Sequence, residues 1–241
     1  MSGHSKWAKI HRQKAVTDAK KSATFSKIAK QIALAAKKDT NVDTNFTLRL
    51  AIDAARAVNM PKENIERAIA KASSKSEAIE EFLFEGYAPQ GIALIVQITT
   101  DNKNRTVQEI KTIFNKNGGK IADLGSVSWM FEYKGAIILP EIKNQFSADD
   151  KKDEFIMNII DAGALDVIEE EDNLIIYTKQ TDLKKIKDKI EELGYKIENA
   201  SLDYVAKDLI DPDEDKRNQV ENFLSLLDEN DDVSNIYTNL K

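Results

Sequence analysis

The stretch AIILPEIKNQFSADDKKDEFIMNIIDAGALDVIEEEDNLIIYTKQTDLKKIKDKIEELGYKIEN, residues 136–199, decides the fold. Its apolar spacing changes period several times. Ala136–Leu139 reads as a short strand, and residues 151–161 put Phe155, Ile156, Ile159 and Ile160 on one helical face. Leu165–Ile168 and Leu174–Tyr177 are apolar runs on either side of the turn-forming EEEDN. Residues 181–193 return to helical spacing through Leu183, Ile186 and Ile190, and Tyr195–Asn199 supplies a last strand. The order β-α-β-β-α-β is that of a ferredoxin-like domain.

Upstream, GIALIVQIT (91–99) predicts a strongly apolar strand. Thr100 and Asp101 lead into a helix with Val107, Ile110, Ile113 and Phe114 on one face, closed by Asn117-Gly118-Gly119. VSWMFEY (127–133) predicts a further strand, so this part is half of a split α/β sandwich. Downstream, 212–227 predicts a helix through Val220, Phe223, Leu224 and Leu227, and Val233–Tyr237 a strand. These last elements have no partners of their own. The economical arrangement returns them to the half at 79–134 and inserts the complete domain between, with Leu202–Val205 as the second half's first strand.

The amino-terminal third predicts helices. Residues 18–38 contain no Gly or Pro, and Phe25, Ile28, Ala29, Ile32 and Ala36 form an apolar stripe. Lys20, Lys27, Lys30, Lys37 and Lys38 fall on the opposite face, with Leu34 an apolar exception among them. A second helix is expected over 44–58, capped by Asp43 or Thr44, with the stripe Phe46, Leu50, Ala54 and Ala57 and a stop at Asn59. Pro61 suits the first turn of a third, which presents Ile65, Ala68, Ile69 and Ala72 on one side. A link at 73–78 follows. The expected architecture is α+β: a basic helical domain (1–78), a split α/β domain (79–134 plus 203–241) and an inserted ferredoxin-like α/β domain (135–202).

Charge is divided along these 241 residues. The net value is −6, yet through Lys71 there are 15 Lys+Arg against 6 Asp+Glu, a net of +9; the remainder carries 20 against 35, a net of −15. Within 1–38 there are ten basic residues and one acid, Asp18. Such a cluster is either a solvated helix surface or a face for a polyanion, since lysines gain by neutralising closely spaced phosphates. Residues 1–17 mix cations with rings: His4, Lys6, Trp7, Lys9, His11, Arg12 and Lys14. Trp7 either packs on the first helix or stacks on a base. At 99–106 (TTDNKNRT), Asn102, Asn104, Arg105 and Thr106 are donors at a strand end and helix start, and Lys103 adds charge; capping and backbone contact to nucleic acid both fit.

Several chemistries are unsupported. Without cysteine there are no disulfides, thiolate metal sites or cysteine nucleophiles, and the only histidines, His4 and His11, lack a third metal ligand nearby other than Asp18. GYAPQG (86–91) precedes a strand and lacks a Lys-Ser/Thr follow-on, so it fits no phosphate-loop fingerprint. The acidic clusters at 169–172 and 231–232 read as solvated turns and caps. No nucleophile–base pair or cofactor motif is present, and no apolar run approaches the roughly 20 residues of a membrane span. The expectation is a non-enzymatic protein of the cytoplasm with no cofactor, no metal and no membrane partner.

The opening GHSKWAKIHRQKAVTDAKK (3–21) resembles that of the YebC/PmpR-like family, and NMPKENIERAIAKA (59–72), TTDNKNRTVQEIKTIFNKNGG (99–119), GSVSWMF (125–131) and the DDVSNIYTN ending extend the resemblance over nearly the whole chain. The resemblance implies a helical domain followed by two α/β domains, and a probable transcriptional regulator that binds DNA. The family also includes the mitochondrial translational activator of cytochrome oxidase, which implies the alternative of a ribosome- or RNA-associated factor with ribosomal RNA as partner. The matching opening places candidate phosphate contacts at His4, Ser5, Lys6, Trp7, Lys9, His11, Arg12, Lys14, Lys20 and Lys21; Lys27, Lys30, Lys103 and Arg105 join them on charge and position. Two departures stand out. Ala88 and Gln90 replace glycines of the family's loop, and Ser234 replaces a glutamine in the ending.

Overall fold

A computed structural model describes residues 18–72, 79–146 and 148–241, with side chains from Ser22 onward. The architecture is α+β, with amino-terminal helices and two mixed α/β sheet regions. Contacts divide the chain into two compact units, one from Tyr133 to Asp203 and the other holding the described residues on either side.

The helices are α1 (Asp18–Ala36), α2 (Phe46–Ala57) and α3 (Lys62–Lys71). They close over Ile28, Ile32, Ala35, Leu48, Ile52, Ala55, Met60, Ile65 and Ala68. The buried stripe of α2 is thus Leu48, Ile52 and Ala55, while Ala57 is exposed. It is not the expected Phe46, Leu50, Ala54 and Ala57. Helix α2 carries apolar residues on several sides, so spacing alone left its orientation open. Its cap also differs from the expected Asp43 or Thr44: the side chain of Asn45 accepts a hydrogen bond from the Leu48 N–H at 3.0 Å. Asn59, at φ 58°, ends the segment in the left-handed region that Asn tolerates.

The first sheet has the order β3-β1-β2-β8, with β1 Glu80–Tyr87, β2 Ala93–Thr100, β3 Lys120–Ala122 and β8 Val233–Thr238. Every adjacent pair is antiparallel; Glu85 lies opposite Ala122, Phe84 opposite Val96, and Leu94 opposite Thr238. Strand β2 is apolar from Ala93 to Val96 because both faces are covered there. Leu94, Val96 and Ile98 point to a core shared with α4 (Lys103–Lys116) and α8 (Glu214–Asp228), where Phe114 meets Phe223 edge-on with ring centroids 5.1 Å apart. Ala93 and Ile95 point the other way, to Val127, Phe131, Ala206 and Tyr237. Two glycines are dictated by space: a Cβ on Gly86 would fall 2.6 Å from the Phe114 ring, and one on Gly119 2.6 Å from Phe223.

The second sheet has the order β5-β6-β4-β7, from β4 (Phe131–Leu139), β5 (Asp166–Glu170), β6 (Asn173–Thr178) and β7 (Asn199–Ala206). Its helices are the short α5 (Ile142–Gln145), α6 (Asp149–Asp161) and α7 (Leu183–Glu192), which bury Phe155, Ile159, Leu183, Ile186 and Ile190.

Four strand expectations are corrected. The runs 127–133 and 136–139 do not form two strands: residues 128–130 are a 3-10 turn, and one strand runs from Phe131. The expected strand at 195–199 starts only at Asn199, because Tyr195 stacks on Phe146 at 4.7 Å and meets Phe155 at 4.5 Å. Leu202–Val205 lies inside β7 of the second sheet, so it is not the first strand of the split half. The part at 79–134 instead opens with a strand that was not expected, β1, whose EEFLFEGY carries acids and a glycine that mask the alternation.

Candidate nucleic-acid interface

Ala-rich, Gly-free sequence makes α1 helical, and two of its faces are used. One meets α2 and α3, while Ala33 is buried outside their shared core. On that second side Lys27 Nζ donates to Asp228 Oδ1 at 3.1 Å and to the Asp228 carbonyl. Lys30 Nζ donates to the Asp231 carbonyl at 2.9 Å and to Asp232 Oδ1 at 2.5 Å. Farther along, Lys37 Nζ donates to the Ile79 carbonyl at 2.6 Å. Three lysines of the face read as either solvated or polyanion-facing, Lys27, Lys30 and Lys37, therefore hold the helix against the start of β1 and the turn between α8 and β8.

Asp232 is the centre of this contact. Only 3% exposed, it is not the solvated turn residue expected at 231–232. Its Oδ2 accepts from Thr106 Oγ1 at 2.6 Å, Arg105 NH2 at 2.7 Å and Thr100 Oγ1 at 3.0 Å. Burial pushes its carboxyl up, but the donors from Lys30, Thr106 and Arg105 prevail and hold it well below the ordinary carboxylate value. Asp232 in turn raises Arg105, which also pairs with Asp101 at 3.0 Å. The TTDNKNRT segment thus has a structural use: Asn102 caps α4 by accepting from the Arg105 N–H at 3.1 Å, and Thr100, Arg105 and Thr106 close on Asp232. Lys103 is exposed, with its ammonium 5.0 Å from the Phe82 ring centroid.

Elsewhere in the helical region, Arg49 donates to the Val42 and Asp43 carbonyls, Arg56 pairs with Asp53 and Lys62 with Glu66. Lys20 and Lys21 lie on the first turn of α1, with side chains outside the described set. His4, Ser5, Lys6, Trp7, Lys9, His11, Arg12 and Lys14 lie outside the described residues, as does the 73–78 link. Among the described residues no group of three or more His, Cys, Asp or Glu could hold a metal ion, and no helix is long and apolar enough to cross a membrane.

One feature escaped sequence reading altogether. Glu85, in the middle of β1 and 4% exposed, accepts from the backbone N–H groups of Gly125 (2.9 Å), Val127 (2.7 Å) and Ser128 (3.0 Å). Burial pushes its carboxyl up, and these donors together bring it below the ordinary value. The GSVSWMF segment is thereby fastened to the sheet, and Trp129 stands out from it 65% exposed.

A family model described as "TACO1/YebC protein N-terminal domain" matches residues 5–75, and one described as "TACO1/YebC second and third domain" matches residues 79–240. The chain belongs to the TACO1/YebC family. Among TACO1/YebC relatives, a protein of Thermotoga petrophila is 44% identical over all of this chain and 94% of its own, and one of Nitratiruptor sp. is 42% identical over the whole of both. Both carry the name "Probable transcriptional regulatory protein". A crystal structure of a conserved hypothetical protein from Aquifex aeolicus superposes with a TM-score of 0.86 at 38% identity, covering 98% of this chain and 97% of that one. In this TACO1/YebC chain the TTDNKNRT block and the DDVSNIYTN ending are one feature, joined through Asp232. The departure at Ser234 keeps a contact of its own, donating to Thr99 Oγ1 at 2.7 Å.

Proposed function

We propose that this TACO1/YebC protein is a non-enzymatic, cytoplasmic regulator of transcription that binds DNA through the segment from His4 to Lys21. The polarity of the chain carries this reading. Six of the ten cations in residues 1–38 fall at or before Lys21, with Asp18 their only acid. The cations farther along α1, Lys27 and Lys30, are held by Asp228 and Asp232, as is Arg105 by Asp232. Polyanion contact then belongs to His4, Ser5, Lys6, Trp7, Lys9, His11, Arg12, Lys14, Lys20 and Lys21, with Lys103 a peripheral cation. The acidic remainder repels the same polyanion and orients the molecule. The names of the curated relatives support transcription as the process. In the arrangement proposed, residues 1–78 are the binding domain, 79–134 plus 203–241 a split α/β domain, and 135–202 a ferredoxin-like domain inserted into it.

A second reading, an RNA- or ribosome-associated translation factor, is favoured by one observation. Arg49 on α2 is turned back onto the Val42 and Asp43 carbonyls, which suits poorly a helix that reads a DNA groove. Crosslinking in cells, followed by sequencing of the bound nucleic acid, separates the two. Promoter DNA retained against non-specific competitor supports the first, and ribosomal RNA the second. Recovery of neither removes both.

A further inference from the structure

We infer that Trp129 is a stacking platform for a base of single-stranded nucleic acid, a second contact beyond the basic amino-terminal segment. The inference rests on the proposed nucleic-acid reading and extends it to a different place. Three observations carry it. The ring is 65% exposed although its loop is fixed: Glu85 accepts three of the loop's backbone N–H groups, the Ser126 N–H donates to the Asp123 carbonyl at 3.0 Å, and the Met130 N–H to the Val127 carbonyl at 2.9 Å. Its polar edge is already used, since Nε1 donates to the Ser126 carbonyl at 2.9 Å, so the indole offers its faces. Lys207 Nζ donates to the Trp129 carbonyl at 2.7 Å, which places an exposed cation one residue's backbone from the ring.

A fixed aromatic face beside a cation is what single-strand binders use, because every base has a face that can stack. Leu124, in the turn before the Trp129 segment, is 76% exposed, and Ile121, on the edge strand β3, is 40% exposed. β3, only three residues long, offers too little edge for an added peptide strand. Local charge is mixed: Lys120 and Lys207 are exposed, and so are Asp123 and Asp208. Attraction here is therefore stacking with little net electrostatics, unlike that of the amino-terminal segment. Glu85 is a positioning residue for this ring.

The test uses the full chain and a mixed-sequence single-stranded RNA oligonucleotide, with its DNA counterpart as a second probe. Trp7 and Trp129 are the two tryptophans, so the difference in emission between the parent and Trp129→Phe belongs to Trp129. Adding oligonucleotide should quench that difference. Trp129→Ala should weaken binding about tenfold, with Trp129→Phe retaining most of the affinity. The dependence of affinity on salt should be the same in all three, because no phosphate contact is removed. Since the ring is exposed, an unchanged thermal melt checks that Trp129→Ala folds. Silent Trp129 emission together with parental affinity in Trp129→Ala overturns the platform and leaves the nucleic-acid reading in place. Failure of the parent to bind either single-stranded probe overturns the platform, and failure to bind a promoter duplex as well overturns the nucleic-acid reading. Should Trp129→Ala lose ribosome cosedimentation while keeping RNA affinity, the ring serves a protein partner and the platform is again overturned.

Discussion

Lys30 Nζ and Asp232 Oδ1 lie 2.5 Å apart across 202 residues of sequence, and this pair fastens α1 to the strand that closes the first sheet. The two partners are unequal. Asp232 is buried and serves Thr100, Arg105 and Thr106 as well, whereas the Lys30 side chain is 22% exposed. Asp232→Ala should therefore destabilise the protein by about 3 kcal/mol, the usual cost of stranding buried partners. Lys30→Ala should cost about 1 kcal/mol or less, since water can replace it. Urea denaturation of both variants measures the difference. Equal losses would mean that the remaining donors contribute nothing.

Both acids that organise this unit, Asp232 and Glu85, are held below their ordinary values. A depressed folded-state value means that the unfolded chain takes up protons first as pH falls. The stability that they contribute is thus complete at neutral pH and drains as pH drops below about 4 toward and through the folded values. In denaturation at a series of pH values, Asp232→Asn should flatten the acid limb below about pH 4 and lower stability at pH 7. An acid limb as steep as the parent's would assign it to other carboxylates.

What could be read along the chain and what could not divide by distance. Helices α4 and α8 were legible because Ile110, Phe114, Val220, Phe223, Leu224 and Leu227 repeat at helical spacing, and each side chain goes where its own period sends it. The apolar run of β2 likewise declared a strand. β1 was hidden because Glu85 reads as a surface charge and Gly86 as a break. Its justification lies in three N–H groups some forty residues on and in the Phe114 ring. The same holds at the candidate interface. Lys27 and Lys30 have the spacing of a solvated face, and nothing within a few residues of them announces Asp228 or Asp232.

Glu85→Ala removes the acceptor of the Gly125, Val127 and Ser128 N–H groups and leaves them in a mostly buried place. The expected cost is about 2 kcal/mol, and amide exchange at these three residues should accelerate well beyond that of β2. Glu85→Gln keeps one acceptor oxygen, so its loss should be smaller. Unchanged exchange at Val127 in the Ala variant would show that the loop holds its shape without the carboxylate.

The two departures in the GYAPQG loop should respond oppositely to glycine. Gln90 has φ 66°, a conformation costly for a residue with a Cβ, and its exposed hydrogen bond to Gln219 offsets little. Gln90→Gly should raise stability by about 0.5–1 kcal/mol. Ala88 has φ −70° and is buried in the core against α8, so Ala88→Gly should lower stability by about 1 kcal/mol. Thermal melts of the two variants give the signs directly. A loss on Gln90→Gly would mean that the Gln219 contact outweighs the backbone strain.

Salt dependence distinguishes the cations that meet a polyanion from those that hold the protein together. Each phosphate neutralised on duplex DNA contributes about 0.9 to the slope of log affinity against log salt, and about 0.7 on a single strand. Replacing Lys6, Lys9, Arg12 and Lys14 with Gln should therefore flatten that slope by up to about 3.6 on a duplex, or about 2.8 on a single strand, and leave the melting temperature nearly unchanged. Replacing Lys27 and Lys30 should do the reverse, because their ammonium groups already face Asp228 and Asp232. That variant should melt earlier and keep the parental slope. If instead it flattened the slope while the amino-terminal variant kept it, α1 would be the phosphate-binding face, and its contacts with the two aspartates would have to open for nucleic acid to bind.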